Sequence, residues 1–317
     1  MNHLESSFTG KNAFWRYFVM LAALFAATNT VGGIPLIIVL ATKSSGNPQI
    51  IELLAENPND LSVLGLEPNL YLLTMIFPFL IGLAAFVLLI KPLNERSLNR
   101  IINGTGSFRW NRFFISGLVW IIISSIYLFV YLKVDPANFT INNRSLSLIP
   151  LIIISILLIP FQASFEEILF RGYLMQGFTV LVRNRWFPLI MTSLFFALMH
   201  VLNPEVEEFG FLRMMPQYLL FGLIFGTITI LDDGIEAAMG AHSANNAFLC
   251  IMVTNKSSAL QTPALYEQLE INPWIDLVTM LFMGILVIFI LRLIFRWDNL
   301  SVLFGKVERS KVVNQIP

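Results

Sequence analysis

Apolar runs long enough to cross a bilayer recur along the whole chain and leave few folds open. A spanning helix needs about 20 mostly apolar residues. Such runs fall at residues 14–41, 70–90, 113–132, 148–181, 187–202, 217–231, 235–253 and 274–295. The expected fold is therefore all-α, a polytopic membrane bundle of about eight helices. Only 13% of residues are charged, about half the share typical of soluble domains, which excludes a soluble domain on a single anchor. Twenty basic and twenty acidic residues cancel, so nothing in the charge suggests a nucleic-acid partner. The one cysteine, Cys250, rules out an internal disulfide and reads as a small buried hydrophobe. The run 14–41 is too long for the apolar region of a signal peptide and lacks a clear cleavage site, so it reads as a retained first span.

Loop charges orient the bundle. With the N-terminus cytoplasmic, that side collects Lys11, Arg16, Lys91, Arg96, Arg100, Arg109, Arg112, Arg183, Arg185, Arg292, Arg296, Lys306, Arg309 and Lys311. The other side holds only Lys43, Lys133, Arg144, Arg213 and Lys256. Basic residues accumulate on cytoplasmic loops, so both termini are expected on the cytoplasmic side of a cell membrane. One contiguous domain is expected, without internal repeat or linker. Residues 1–147 form N-terminal helices without a signature, 148–253 a chemistry-bearing core, and 254–317 a last span and basic tail. The polar stretch 42–68 reads as the longest loop, with room for a short amphipathic element, and 142–147 as a loop between helices three and four. Trp274 and Trp297 suit interfacial anchoring.

Two adjacent acids, Glu166 and Glu167, lie in the fourth apolar run, beyond Pro160. An ionised carboxylate in a bilayer core costs at least a few kcal/mol, so intramembrane acids point to a functional site. Glu167 and Arg171 are one helical turn apart with the acid first, the favourable order for an ion pair. Glu166 lies about 100° around the helix from that pair, and a desolvated carboxylate free of a salt bridge suits a general base. A structural Glu–Arg lock between helices is the plainer alternative.

Phe196 and His200 share one helical face, so the phenyl ring can pack beside the imidazole. His242 and Asn246 share another, among the small residues Gly240, Ala241, Ser243 and Ala244, which permit close helix approach. The plainer reading there is interhelical hydrogen bonding, strongest for Ser243 and Asn245. Glu166 and His200 lie at similar distances from a turn near Arg183–Arg185, which places them at nearly equal depth. The acids Glu205, Glu207 and Glu208 read as a solvated loop, Asp232 and Asp233 beside Gly234 as a turn, and Gly222 with Gly226 as a packing groove.

In this order, Glu-Glu-x-x-x-Arg, Phe-x-x-x-His and His-x-x-x-Asn resemble the CPBP family of CAAX proteases and bacteriocin-processing enzymes, also called the Abi or Ras-converting-enzyme-like family. The resemblance covers about residues 148–253. It implies an eight-helix intramembrane endopeptidase with a site of Glu166, His200, His242 and Asn246. Glu166 and His200 would activate a water, His242 and Asn246 would stabilise the oxyanion, and Glu167, Arg171 and Phe196 would support them. Partners would be a peptide or membrane-protein substrate and the lipid bilayer. The cofactor is either none or zinc: two histidines and a glutamate (Glu166, His200, His242) match a catalytic zinc set, whereas no His-Glu-x-x-His run is present. Two rival classes remain, a catalytically silent immunity or scaffold protein that binds a hydrophobic peptide, and a proton-coupled transporter, which should show inverted repeats.

Overall fold

The computed structural model describes residues 2–47, 49–56, 61–142, 146, 148–297 and 299–309. Most of the expected loop at 142–147, and with it Arg144, lies outside the described residues, as does Lys311. The helices are α1 (Phe14–Asn29), α2 (Ile34–Gly46), α3 (Gln49–Glu56), α4 (Pro68–Asn94), α5 (Leu98–Ile102), α6 (Trp110–Val134), α7 (Leu148–Glu167), α8 (Met175–Val182), α9 (Trp186–Leu198), α10 (Pro204–Phe209), α11 (Phe211–Asp232), α12 (Glu236–Met252) and α13 (Pro273–Phe295). A small sheet, β1 (Phe139–Ile141), β2 (Val253–Thr254) and β3 (Tyr266–Gln268), has the order β1-β3-β2, with β3 antiparallel to β1 and parallel to β2.

This is a helical membrane bundle. Among the described residues, six helical stretches are long and apolar enough to cross a membrane, and α9 is a shorter apolar helix. The expected count of about eight is thus not matched by length and composition. The seventh candidate, α12, is 17 residues long and differs from a lipid-facing span in character. Its residues Glu236 to Ala244 are all buried, so its surroundings are protein rather than lipid. The first run also departs from expectation. It turns at Thr30–Gly33 between α1 and α2, where Gly32 lies against the Thr28 carbonyl and Pro78 of α4. The stretch expected as the 42–68 loop carries the end of α2, all of α3 and a short 3-10 turn, Leu61–Leu64.

Helix boundaries follow local chemistry. Proline occupies the first turn of α2, α4, α10 and α13, where its missing N–H costs no intrahelical bond. Glu67 and Asn272 side chains accept from the first N–H groups of α4 and α13, satisfying donors that a helix start leaves orphaned. Arg183 and Arg296 close α8 and α13 in the left-handed region, placing cations at the negative end of the helix dipole.

The core of the bundle is α12, held between α6, α7 and α11. Gly240 makes the approach of α6 possible: a Cβ there would collide with the Phe113 carbonyl and lie 2.6 Å from Ser116 Oγ. Ser116 Oγ donates across the same seam to Ala237 O at 2.7 Å. One end of the bundle gathers both chain ends, since Leu4 and Val307 belong to one buried cluster. Trp297, expected at an interface, is instead buried and donates to Asp232 Oδ1 at 2.8 Å. Asp232 and Asp233 do border the expected turn, but Asp232 also pairs with Arg109 at 3.1 Å and Arg112 at 3.3 Å.

Candidate active site

The acid-bearing helix runs straight through Pro160 and changes geometry further on. Residues Leu148–Glu167 are continuous α-helix, whereas Ile168–Leu174 form a π-helical turn. Such widened turns shift hydrogen bonding to i→i+5 and are frequent at functional sites. Gly172 sits in the widened turn with no room for a side chain, because a Cβ would lie 2.6 Å from Ile101. From outside, His3 Nε2 donates to the Arg171 carbonyl at 3.0 Å, and Gln176 Nε2 donates to His3 Nδ1 at 3.2 Å. That burial of the N-terminal segment, with His3, Ser6 and Ser7 fully covered, was not legible in a short polar tail.

Glu167 and Arg171 form the expected pair, Nη1 to Oε1 at 2.9 Å, both side chains fully buried. The guanidinium also lies 4.4 Å from the Phe196 ring and within 3.4 Å of Gly222 O. Glu167 has a second duty. Its Oε1 accepts from His242 Nδ1 at 2.8 Å, which fixes the proton on Nδ1 and leaves Nε2 as an acceptor in the neutral ring. Asn246 Nδ2 donates to that Nε2 at 3.2 Å. The imidazole is further clamped by Phe225, stacked at 4.8 Å, and by the edge of Phe196 at 6.0 Å.

Glu166 is buried, and its Oε2 lies 3.7 Å from His242 Nε2. Its Oε1 accepts from Gln162 Nε2, and Gln162 Oε1 accepts from Asn246 Nδ2 at 3.0 Å. Sequence reasoning passed over Gln162, although it lies one helical turn before Glu166, a spacing that could have flagged it. Glu166 is therefore free of the Glu167–Arg171 pair but not free of partners.

His200 is placed beyond the end of α9 rather than within a helix. Its Nδ1 donates to the Phe196 carbonyl at 2.7 Å, so Nε2 carries the lone pair. The ring lies 4.6 Å from that of Phe196 and stacks on Tyr218 at 4.3 Å. Phe196 thus touches both imidazoles, and the Glu166 charge acts on His200 electrostatically. The acidic stretch after His200 is not simply solvated: Glu205 accepts from the Tyr218 hydroxyl, which also accepts from Asn203 at 2.9 Å. Tyr218 escaped the sequence reading, and Glu205 was read only as part of a solvated loop, because nothing in their spacing links α10 to α11.

As placed, these donors do not fit a zinc site. A catalytic zinc takes three protein ligands converging on one point, and no group of three or more His, Cys, Asp or Glu among the described residues is so arranged.

Fold and cluster together define a helical membrane protein with a buried Glu–His–Asn site. The sequence of residues 145–248 matches the family described as type II CAAX prenyl endopeptidase Rce1-like. The matched segment contains Glu166, His200, His242 and Asn246, so the likeness to that family covers the whole polar cluster. The chain is also similar to a Bacillus subtilis (strain 168) protein named Uncharacterized protein YyaK, 28% identical over 277 residues that cover 86% of this chain and 89% of the relative. No solved structure matches.

Proposed function

We propose that the protein is an intramembrane endopeptidase acting on a hydrophobic peptide or membrane protein. Glu166 serves as general base, His200 assists in orienting the water, and His242 with Asn246 stabilises the oxyanion. The carrying observation is the apposition of Glu166 Oε2 and His242 Nε2, 3.7 Å apart in a buried setting. Phe196 links the two imidazoles, with its ring 4.6 Å from that of His200 and 6.0 Å from that of His242. In this reading a water oxygen attacks the scissile carbonyl carbon while its proton passes to Glu166. The C–O double bond opens to an oxyanion, which Asn246 Nδ2 meets by turning one N–H from His242 toward it. Collapse breaks the C–N bond, and the proton held by Glu166 leaves on the new amine. His242 can act as a second donor once Nε2 carries a proton, with Glu167 supplying the balancing negative charge. Fixed donors of this kind typically contribute about 2.7–4 kcal/mol each in a water-excluded site.

The test uses purified protein in detergent with a peptide library. Wild type should cleave, and Glu166→Gln should abolish cleavage with thermal stability close to wild type. Full activity in that variant would remove Glu166 from the chemistry. A wild type that binds peptides without cleaving any would favour a silent scaffold.

A further inference from the structure

Five side chains on three helices are joined by four hydrogen bonds that all point one way. Trp120 Nε1 of α6 donates to Asn245 Oδ1 at 3.2 Å. Asn245 Nδ2 donates to Asn246 Oδ1 at 3.0 Å, both on α12. Asn246 Nδ2 donates to Gln162 Oε1 at 3.0 Å, and Gln162 Nε2 donates to Glu166 Oε1, both of these acceptors on α7. The polarity is dictated at the two ends. An indole N–H can only donate, and an ionised carboxylate can only accept. Between those ends each amide has one orientation that bonds on both sides, and reversing any of them would set two donors or two acceptors face to face.

We propose that Trp120, Asn245 and Gln162 are positioning residues that lock the amide of Asn246 with its NH2 toward the site and hold the Glu166 carboxylate in place. A side-chain amide free to flip presents its oxygen to an oxyanion half the time, which repels instead of stabilising. Here the lock has a second anchor, since the remaining Asn246 N–H is held by His242 Nε2 at 3.2 Å. That nitrogen accepts because Glu167 claims Nδ1–H. Both hydrogens of the Asn246 amide are thus assigned, and an oxyanion need only draw one of them off a neutral ring nitrogen. Trp120 is 2% exposed and set against Phe225 at 5.4 Å, so the head of the chain is held by core packing. Burial strengthens such a network when every member is satisfied.

The inference rests on the protease reading for its functional meaning, and its test has one arm that does not. Gln162→Met keeps the length of the side chain and removes both bonds. Trp120→Phe keeps an aromatic ring and removes the head donor. On a fluorogenic peptide selected from the library with wild type, Gln162→Met should lower kcat about tenfold or more with KM within about threefold, the signature of an interaction made in the transition state. Trp120→Phe should lower kcat about three- to tenfold. In the Gln162→Met background it should add less than about twofold, since a chain already cut cannot be cut again. Effects that multiply in the double variant would overturn the chain. The second arm reads the indole ¹H–¹⁵N resonance of Trp120 in detergent, assigned by its loss in Trp120→Phe. Gln162→Met should move this resonance although the two side chains share no hydrogen bond, and an unmoved resonance would overturn the proposal whether or not the protein cleaves peptides. Absence of wild-type cleavage would count against the protease reading alone.

Discussion

Arg171→Ala tests how far one buried charge holds the site and the bundle together. The guanidinium is fully covered, 2.9 Å from Glu167 Oε1, with Phe196 at 4.4 Å and Phe170 and Phe225 each at 5.8 Å. Truncation leaves the Glu167 carboxylate fully buried with only His242 as a bonded partner, since Glu167 Oε2 has none. Breaking a buried ion pair by removing one member costs about 3–5 kcal/mol. Whole-protein stabilities run to about 5–15 kcal/mol, so the loss is a large part of the total, roughly a hundred- to five-thousandfold in the folded ratio. Size-exclusion chromatography in detergent after stepwise heating should show a clearly lowered midpoint and yield for Arg171→Ala. Pairing Arg171→Met with Glu167→Gln should recover part of that loss, because replacing both partners leaves no stranded charge. An Arg171→Ala protein with a wild-type midpoint would refute the electrostatic account. If it were also inactive, Arg171 would belong to substrate binding instead.

Burial pushes the His3 imidazole down from 6.5 to about 4, because a protonated ring there would be stripped of water. A base with a depressed folded value contributes stability that is full above pH 6.5 and lost as pH falls toward 4, about 3 kcal/mol over that window. Thermal midpoints of wild type should therefore fall more steeply between pH 6.5 and 4.5 than those of His3→Gln, and parallel curves would contradict this. Gly240→Ala should cost about 1–3 kcal/mol by overpacking α12 against Phe113 and Ser116, read as a lowered unfolding midpoint. An unchanged midpoint there would mean that α6 can move aside. Exhaustive chelation should leave peptide cleavage intact, checked together with metal content, since the placed donors do not converge on a metal. Loss of activity restored by zinc would reverse that reading.

Much of the architecture was written in one-dimensional pattern. Apolar runs of spanning length determine a helical membrane bundle because lipid offers the backbone no other partner. The turn from Glu167 to Arg171 and that from Phe196 to His200 were legible because helical neighbours follow from a fixed 3.6-residue period. Contacts between helices carry no such period. That Glu167 serves His242 as well as Arg171, that Gln162 joins Glu166 to Asn246, and that Tyr218 stacks on His200 all depend on which helix faces which. The surroundings of each span were hidden for a related reason: the apolar run of α12 does not reveal that its small residues let α6 and α7 enclose it. Pro160 sits within α7 without ending it, and the distortion falls at Ile168–Leu174, where the Ile101 contact at Gly172 and the His3 bond to the Arg171 carbonyl stabilise a wider turn. The sequence by itself determined the helices and the chemistry each one carries. Tertiary packing decided which polar groups meet, because buried donors and acceptors must find partners across helices that local periodicity does not pair.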